Sequence, residues 1–478
     1  MNYRMITYIL GWILLFEAAF LLVPTLTAAI LGESAIFAFL LTVAICLAAS
    51  LLLIAKKPRV TDLRSRDGFV IVSLSWILLS LFGALPFMFC GATDSYIDAL
   101  FETVSGFTTT GASIFANVEA LPGSILIWRS FTHWVGGMGV LVFIMAFLPL
   151  SGGRNMHIMK AESPGPSVSK LVPRVRTTAL LLYSIYFVLT AVMFIVLLCG
   201  GMPVFDALCT AFGTAGTGGF ANHNDGMASF SPFLQVTIAV FMLIFSVNFE
   251  SYFLLLKRKW RDAFTTEVLT FFGIVAAATA IIAVSIRSMF GSVSTALRHA
   301  FFTISTIIST TGFATTDFDL FPQIARTVIV LLMFIGACAG STGGGIKISR
   351  IIIFFKTAAR ELQTAIHPKQ VKAITIDGRS VESGVVRATL SFLLCFSMIF
   401  VGSCLLISLD NYDLTTNFTA VAATMGNIGP GLCAVGPTQN FGFFSPLSKL
   451  VLIFDMLAGR LEIFPMLLLF TPTTWKKN

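Results

Sequence analysis

Two apolar stretches open the chain, at residues 5–31 and 35–55, and the second contains no charged residue at all. About 20 apolar residues cross a bilayer core, where a backbone without water has to satisfy its own hydrogen bonds, so stretches of this length are expected to be helices. The pattern recurs near 68–91, 123–149, 177–200, 231–256, 265–287, 322–352, 383–408 and 445–470, which gives about ten expected spans in an all-α polytopic membrane protein. A hydrophobic fraction of 56% with only 11% charged residues excludes a soluble enzyme and an extended disordered chain. A signal peptide carries a shorter apolar core, of about 7–15 residues, and then a cleavage site. The first stretch is longer and a second follows at once, so a retained N-terminal helical hairpin is expected over residues 1–60.

The charges report orientation. Lys and Arg number 31 against 23 Asp and Glu, a net charge of +8. The connections 56–67, 150–176, 257–264 and 353–382 hold 19 of those cations, whereas 92–122, 201–230, 288–321 and 409–444 hold Arg298 alone. Cytoplasmic loops collect Lys and Arg, so the charge-poor connections are expected outside and both termini in the cytoplasm. The positive balance therefore indicates topology, and no nucleic-acid partner is expected. The 8 cysteines form no C-x-x-C pair and the 5 histidines no H-E-x-x-H or H-x-x-x-H set, so neither a zinc site nor a disulfide framework is indicated. With G-x-S-x-G also absent, the chain reads as a non-enzyme without an organic cofactor.

The outer connections are too apolar for solvated loops, and they repeat. Residues 98–113 read DALFETVSGFTTTGAS, 206–221 DALCTAFGTAGTGGFA, 299–314 HAFFTISTIISTTGFA and 416–431 TNFTAVAATMGNIGPG. In this register one glycine recurs, as Gly111, Gly219, Gly312 and Gly429. Six positions earlier stands a small residue (Ser105, Gly213, Thr306, Ala423), and eleven earlier a large apolar one (Leu100, Leu208, Phe301, Phe418). A helical segment of about eleven residues rises only about 16 Å and cannot cross a membrane, so each unit reads as helix, re-entrant loop, helix. Non-helical backbone at membrane depth is tolerated where it lines a water-filled cavity, and rings of backbone carbonyls can replace a cation's hydration shell. The expected ligands are Thr109, Thr110 and Gly111; Thr217, Gly218 and Gly219; Thr310, Thr311 and Gly312; and Asn427, Ile428 and Gly429.

With these motifs in place, the chain resembles the TrkH-type subunits of the Trk/Ktr/HKT superfamily of potassium transporters, over about residues 60–475. The likeness is carried by TTTGA at 108–112, GGF at 218–220, TTGF at 310–313, NIGPG at 427–431, GACAGSTGGGIK at 336–347 and GRLEIF at 459–464. The resemblance implies potassium uptake across a bacterial cytoplasmic (inner) membrane through four pseudosymmetric helix/pore-loop/helix units, here 61–155, 156–260, 261–375 and 376–478. It implies a homodimer that docks cytosolic nucleotide-binding regulatory subunits of the TrkA type, in contact with membrane lipid, with potassium as the transported ion. A glycine in the first loop goes with potassium preference in that family, and Gly111 is such a glycine. A proton- or sodium-coupled symporter using the same pore is the alternative.

Two further features interrupt helices. The run Ala339, Gly340, Ser341, Thr342, Gly343, Gly344 and Gly345 holds too many weak helix formers to continue a helix. A phosphate loop would place Lys directly after Gly345, but Ile346 intervenes before Lys347. By resemblance, residues 340–345 are an intramembrane gating loop. Arg460 lies deep in the last span, where an arginine costs at least about 2.5–3.5 kcal/mol unless paired or facing water. The resemblance makes it a cationic barrier near that gate; pairing with Glu462, Glu250 or Asp455 is the other reading. Arg129 and His133, four apart on one helix, are within reach of Glu102 but are expected to anchor the membrane interface.

Overall fold

The computed structural model describes residues 1–55, 58, 64–139, 175–368 and 373–476. It is built of helices, with one two-stranded hairpin, Thr375–Ile376 against Arg379–Ser380. Of the ten expected spans, six are continuous apolar helices: Tyr3–Leu31, Ile36–Ile54, Arg66–Phe89, Ala179–Cys199, Thr266–Met289 and Ser383–Asp410. The first two form the expected hairpin, tied by the Ser50 hydroxyl donating to the Gly11 carbonyl at 2.8 Å.

The remaining four are the second long helices of the repeated units: three are interrupted, and the first stops where the described residues end. In unit 1 the helix Gly123–Gly137 ends at Met138, and the rest of that expected span, 140–149, lies outside the described residues. In unit 2 Pro232–Ser246 gives way to Phe249–Leu256 at an angle of 91°. Asn248 makes that break: its side chain accepts from the Glu250 N–H at 2.9 Å and caps the new helix. In unit 3 Gln323–Met333 stops before an irregular segment, and the chain becomes helical again only at Ile348–Ile366. In unit 4 Pro446–Arg460 is separated from Phe464–Phe470 by residues that include Glu462 and Ile463 at positive φ of 55° and 69°. A β-branched residue there is strained by about 1–2 kcal/mol, so surrounding contacts hold this turn. The unit 3 interruption coincides with a run of glycines, and the unit 1 helix ends within Gly136, Gly137 and Gly139. The helix ends in units 1 and 2 free main-chain carbonyls, among them those of Gly136, Gly137, Phe245 and Ser246, and these accept from other segments.

Between the two long helices of each unit lies a short one: Tyr96–Phe107, Val204–Gly216, Val293–Ile308 and Leu414–Met425. Three start on a side-chain cap, Ser95, Ser292 and Asp413, and the fourth follows Pro203. Their inward faces are nearly all buried, with Phe101, Val104, Phe107, Ile304, Ile307 and Val421 at 1% exposure or less. Packing of this kind anchors the loops that follow.

Candidate ion pathway

The four short helices end alike. Thr109, Thr217, Thr310 and Asn427, each two residues before the recurrent glycine, take left-handed φ of 55°, 56°, 57° and 51°. Their N–H groups donate three residues back, to Gly106, Thr214, Ile307 and Thr424, and the next N–H in each loop donates five residues back, to Ser105, Gly213, Thr306 and Ala423. That pair of bonds is the Schellman cap, and the residue six before the glycine is the one whose carbonyl accepts the longer bond. Glycine or asparagine ordinarily fills the left-handed position, so each threonine there costs about 1–2 kcal/mol. Gly111, Gly219, Gly312 and Gly429 are left-handed again, at φ 80°, 78°, 93° and 100°. Left-handed backbone thus recurs two residues apart in every loop.

The glycines close a ring. A Cβ on Gly111 would overlap the carbonyl oxygen of Gly218, one on Gly219 that of Thr311, and one on Gly312 that of Ile428. On Gly429 it would stand 2.8 Å from the carbonyl oxygen of Thr110. Each loop thus abuts the residue just before the glycine of the next loop, and the fourth returns to the first. All four glycines border one outer cavity, together with Phe115, Phe220 and Pro430. The twelve residues singled out in the sequence are brought together here, with no ionised side chain among them.

Behind the ring the packing is polar. Arg129 and Glu102 form a buried ion pair at 2.7 Å, with exposures of 2% and 0%, instead of anchoring an interface. His133 stacks on Phe220 at 4.3 Å, its Nδ1 faces the Gly106 carbonyl at 2.8 Å, and its Nε2 accepts from the Phe220 N–H at 3.2 Å. These bonds suit the neutral ring protonated on Nδ1 and tie the first short helix to the second loop. The Asn427 amide donates to the Thr110 hydroxyl and to the Met456 carbonyl, both at 3.0 Å, which links the fourth loop to the first.

Beneath the ring runs the glycine-rich segment 336–347, closed at its base by the Gly336 N–H donating to Ile346 at 2.8 Å. Cys338 N–H and the Thr342 hydroxyl reach the Ser246 and Phe245 carbonyls, at 3.1 Å each, which the unit 2 break has left free. Glu267 accepts from Ala339 N–H at 2.8 Å and Ser349 N–H at 3.0 Å, one before and one after residues 340–345. Gly344 N–H donates to the Thr310 hydroxyl of the ring at 2.7 Å. The Lys347 ammonium is buried on the Gly343 and Gly344 carbonyls. Arg460 donates to Thr342 in this segment at 2.8 Å and to Gly136 and Gly137 at 2.5 and 2.8 Å. Those last carbonyls end the unit 1 helix, where a guanidinium also meets the negative end of the helix dipole. Glu462 takes the Arg350 guanidinium at 3.1 and 2.5 Å, and Asp455 accepts from Ser403 at 2.7 Å. A second cavity, bordered by Gly340, Ser341, Gly343–Gly345, Lys347, Arg460 and Glu462, lies on this inner side.

Sequence comparison agrees with this geometry, since the TrkH cation transport protein family matches residues 34–477. The chain belongs to the TrkH family. It is 37% identical over 488 residues to the Trk system potassium uptake protein TrkH of Salmonella typhimurium, covering all of both chains. It is 32% identical over 485 residues to TrkG of Escherichia coli, covering 99% of each. The crystal structure of the potassium transporter TrkH from Vibrio parahaemolyticus superposes with a TM-score of 0.90 at 34% identity over the full length of both. The protein is therefore an all-helical, multi-pass membrane protein of a transporter family.

Glu267, Asn248, Lys347 and the Arg129–Glu102 pair were not assigned to the pathway from the sequence. An acid one residue inside a span, as Glu267 is, and an Asn-x-Glu capping pattern, as at 248–250, are the signals that mark two of them.

Proposed function

We propose that this chain takes up potassium through the ring formed by Thr109–Gly111, Thr217–Gly219, Thr310–Gly312 and Asn427–Gly429. The observation that carries this reading is the cyclic contact of the four glycines, each against the carbonyl of the next loop. A bare cation needs oxygen ligands from all sides, and the ring supplies them from main chain without a fixed charge. Residues 340–345 act as the gate, because they lie between ring and inner cavity and bond to the ring at Thr310. Arg460 holds that gate against unit 1 and places a cation beside the exit. The division into a hairpin, 1–60, and units 61–155, 156–260, 261–375 and 376–478 follows the fourfold repetition of short helix, ring loop and second long helix. The protein resides in the bacterial cytoplasmic membrane with both termini inside, as the charge asymmetry of its loops supports. It works as a homodimer with cytosolic nucleotide-binding subunits of the TrkA type, which move the gate.

Rubidium-86 uptake into proteoliposomes of the purified chain tests this, with an outward potassium gradient and no sodium or proton gradient. Uptake blocked by potassium and barely by sodium is the expected result. Uptake that appears only on imposing a sodium or proton gradient would make the protein a coupled symporter, and equal block by both ions would remove the ring as a selective element.

A further inference from the structure

Two residues past each recurrent glycine, the chain leaves the ring, and main-chain bonds hold three of the four exits while a side-chain pair joins two of them. In the third loop the Ala314 carbonyl accepts from the Met227 N–H at 2.8 Å, and in the fourth the Gly431 N–H donates to the Val435 carbonyl at 2.7 Å. Main-chain bonds of this kind do not depend on side-chain identity. The Ser113 carbonyl at the first exit likewise accepts from the Phe441 N–H at 2.8 Å, but the first and second exits, Ser113 and Ala221, are in addition joined to each other by one buried ion pair. Glu102 accepts from the Ser113 hydroxyl at 3.0 Å, the Ile114 N–H at 2.9 Å and the Arg129 Nε at 2.7 Å. Arg129 also donates to the Ser113 hydroxyl at 3.2 Å and to the Ala221 carbonyl at 3.3 Å, with its guanidinium 4.1 Å from the Phe220 ring centre. The positions matching Glu102 in the other short helices are Thr210, Thr303 and Ala420, so the pair breaks the fourfold pattern.

We propose that the Glu102–Arg129 pair is a positioning element for ion discrimination: it fixes the outer ends of the first and second loops against each other and so keeps the carbonyls of the ring from closing on a smaller ion. This rests on the reading of the ring as the potassium pathway. Whether discrimination comes from ring size or from the field of its carbonyls, the oxygens have to be held in place to express it. The pair suits that task because Arg129 reaches both exits from one rigid, planar group, which a lysine cannot do. Its burial argues for a role beyond stability, since well-packed apolar residues often replace buried ion pairs without loss of folding.

The test uses the purified full chain in proteoliposomes and reads the ratio of the sodium and potassium inhibition constants for rubidium-86 uptake. That ratio is independent of how much protein folds. Substituting both partners, Glu102→Met with Arg129→Met, leaves no orphaned charge and is expected to lower the ratio about tenfold or more while uptake persists. Arg129→Lys keeps the charge on Glu102 but loses the reach to Ala221, and is expected to lower the ratio by a smaller factor. An unchanged ratio in either transporting variant overturns the proposal. The wild-type ratio separates the two readings: a wild type that does not prefer potassium sinks the proposed function, whereas a selective wild type with equally selective variants sinks only the role of the pair.

Discussion

Gly344 and Thr310 are joined by a hydrogen bond of 2.7 Å from main-chain N–H to side-chain hydroxyl, and this bond connects the glycine-rich segment directly to the innermost left-handed residue of the third ring loop. The bond ties the inner end of the third ring loop to the glycine-rich segment, so displacement of the segment costs the loop one buried hydrogen bond.

Thr310→Val keeps the shape of that side chain and removes the acceptor. A buried hydrogen bond contributes about 0.5–1.5 kcal/mol, so the closed segment is expected to loosen by that amount and basal rubidium flux to rise about two- to tenfold. Flux equal to wild type in the purified chain would mean that the segment does not limit conduction.

Substitution of the ring glycines is expected to be graded. Gly111→Ser, Gly219→Ala and Gly312→Ala place a Cβ onto a neighbouring carbonyl, while Gly429→Ala meets one at 2.8 Å and is expected to be the mildest. All four also force a side chain into left-handed backbone, at about 1–2 kcal/mol each. The sodium-to-potassium permeability ratio, read from reversal potentials, should rise for Gly111→Ser; no change there would exclude the first loop from discrimination.

Glu267 grips the chain before and after residues 340–345, through Ala339 and Ser349. Glu267→Ala leaves two N–H groups without an acceptor and is expected to give a leakier protein, whereas Glu267→Gln retains an acceptor oxygen and should conduct like wild type. Equal flux in the two variants would assign the effect to charge rather than to the hydrogen bonds.

The hairpin tip reaches the same helix. Asp377 accepts from the Thr266 N–H at 2.8 Å and its hydroxyl at 2.5 Å, next to Glu267 in sequence. Asp377→Ala removes the acceptor from the first helical N–H, beside the Thr265 cap, and a lower thermal midpoint of the purified protein is the expected outcome. Asp377→Asn keeps an acceptor and should restore most of it.

Arg460→Ala strips donors from Thr342, Gly136 and Gly137 at once and is expected to raise basal flux several-fold with selectivity unchanged, because none of those carbonyls lies in the ring. A fall in the potassium preference of this variant, measured by the same competition assay, would place Arg460 in discrimination instead.

Much of this protein was legible in its sequence because the decisive constraints are local. Apolar run length specifies a helix in a bilayer, and a glycine recurring in register marks backbone that a Cβ would obstruct; both are properties of a few consecutive residues. The small residue at Ser105, Gly213, Thr306 and Ala423 was visible for the same reason, since it and the capped loop belong to one turn. What only the tertiary structure decided joins residues far apart in the chain. Nothing in the sequence near Arg129 distinguishes an interface anchor from a partner of Glu102, and near Val247, which has no glycine or proline, only the Asn-x-Glu pattern at 248–250 hints at a new helix start and nothing gives the 91° angle. Arg460 required a partner wherever it lay, because an intramembrane charge is costly; that its partners include the carbonyl end of the unit 1 helix, more than 300 residues away, was set by the folding of four repeats against one another.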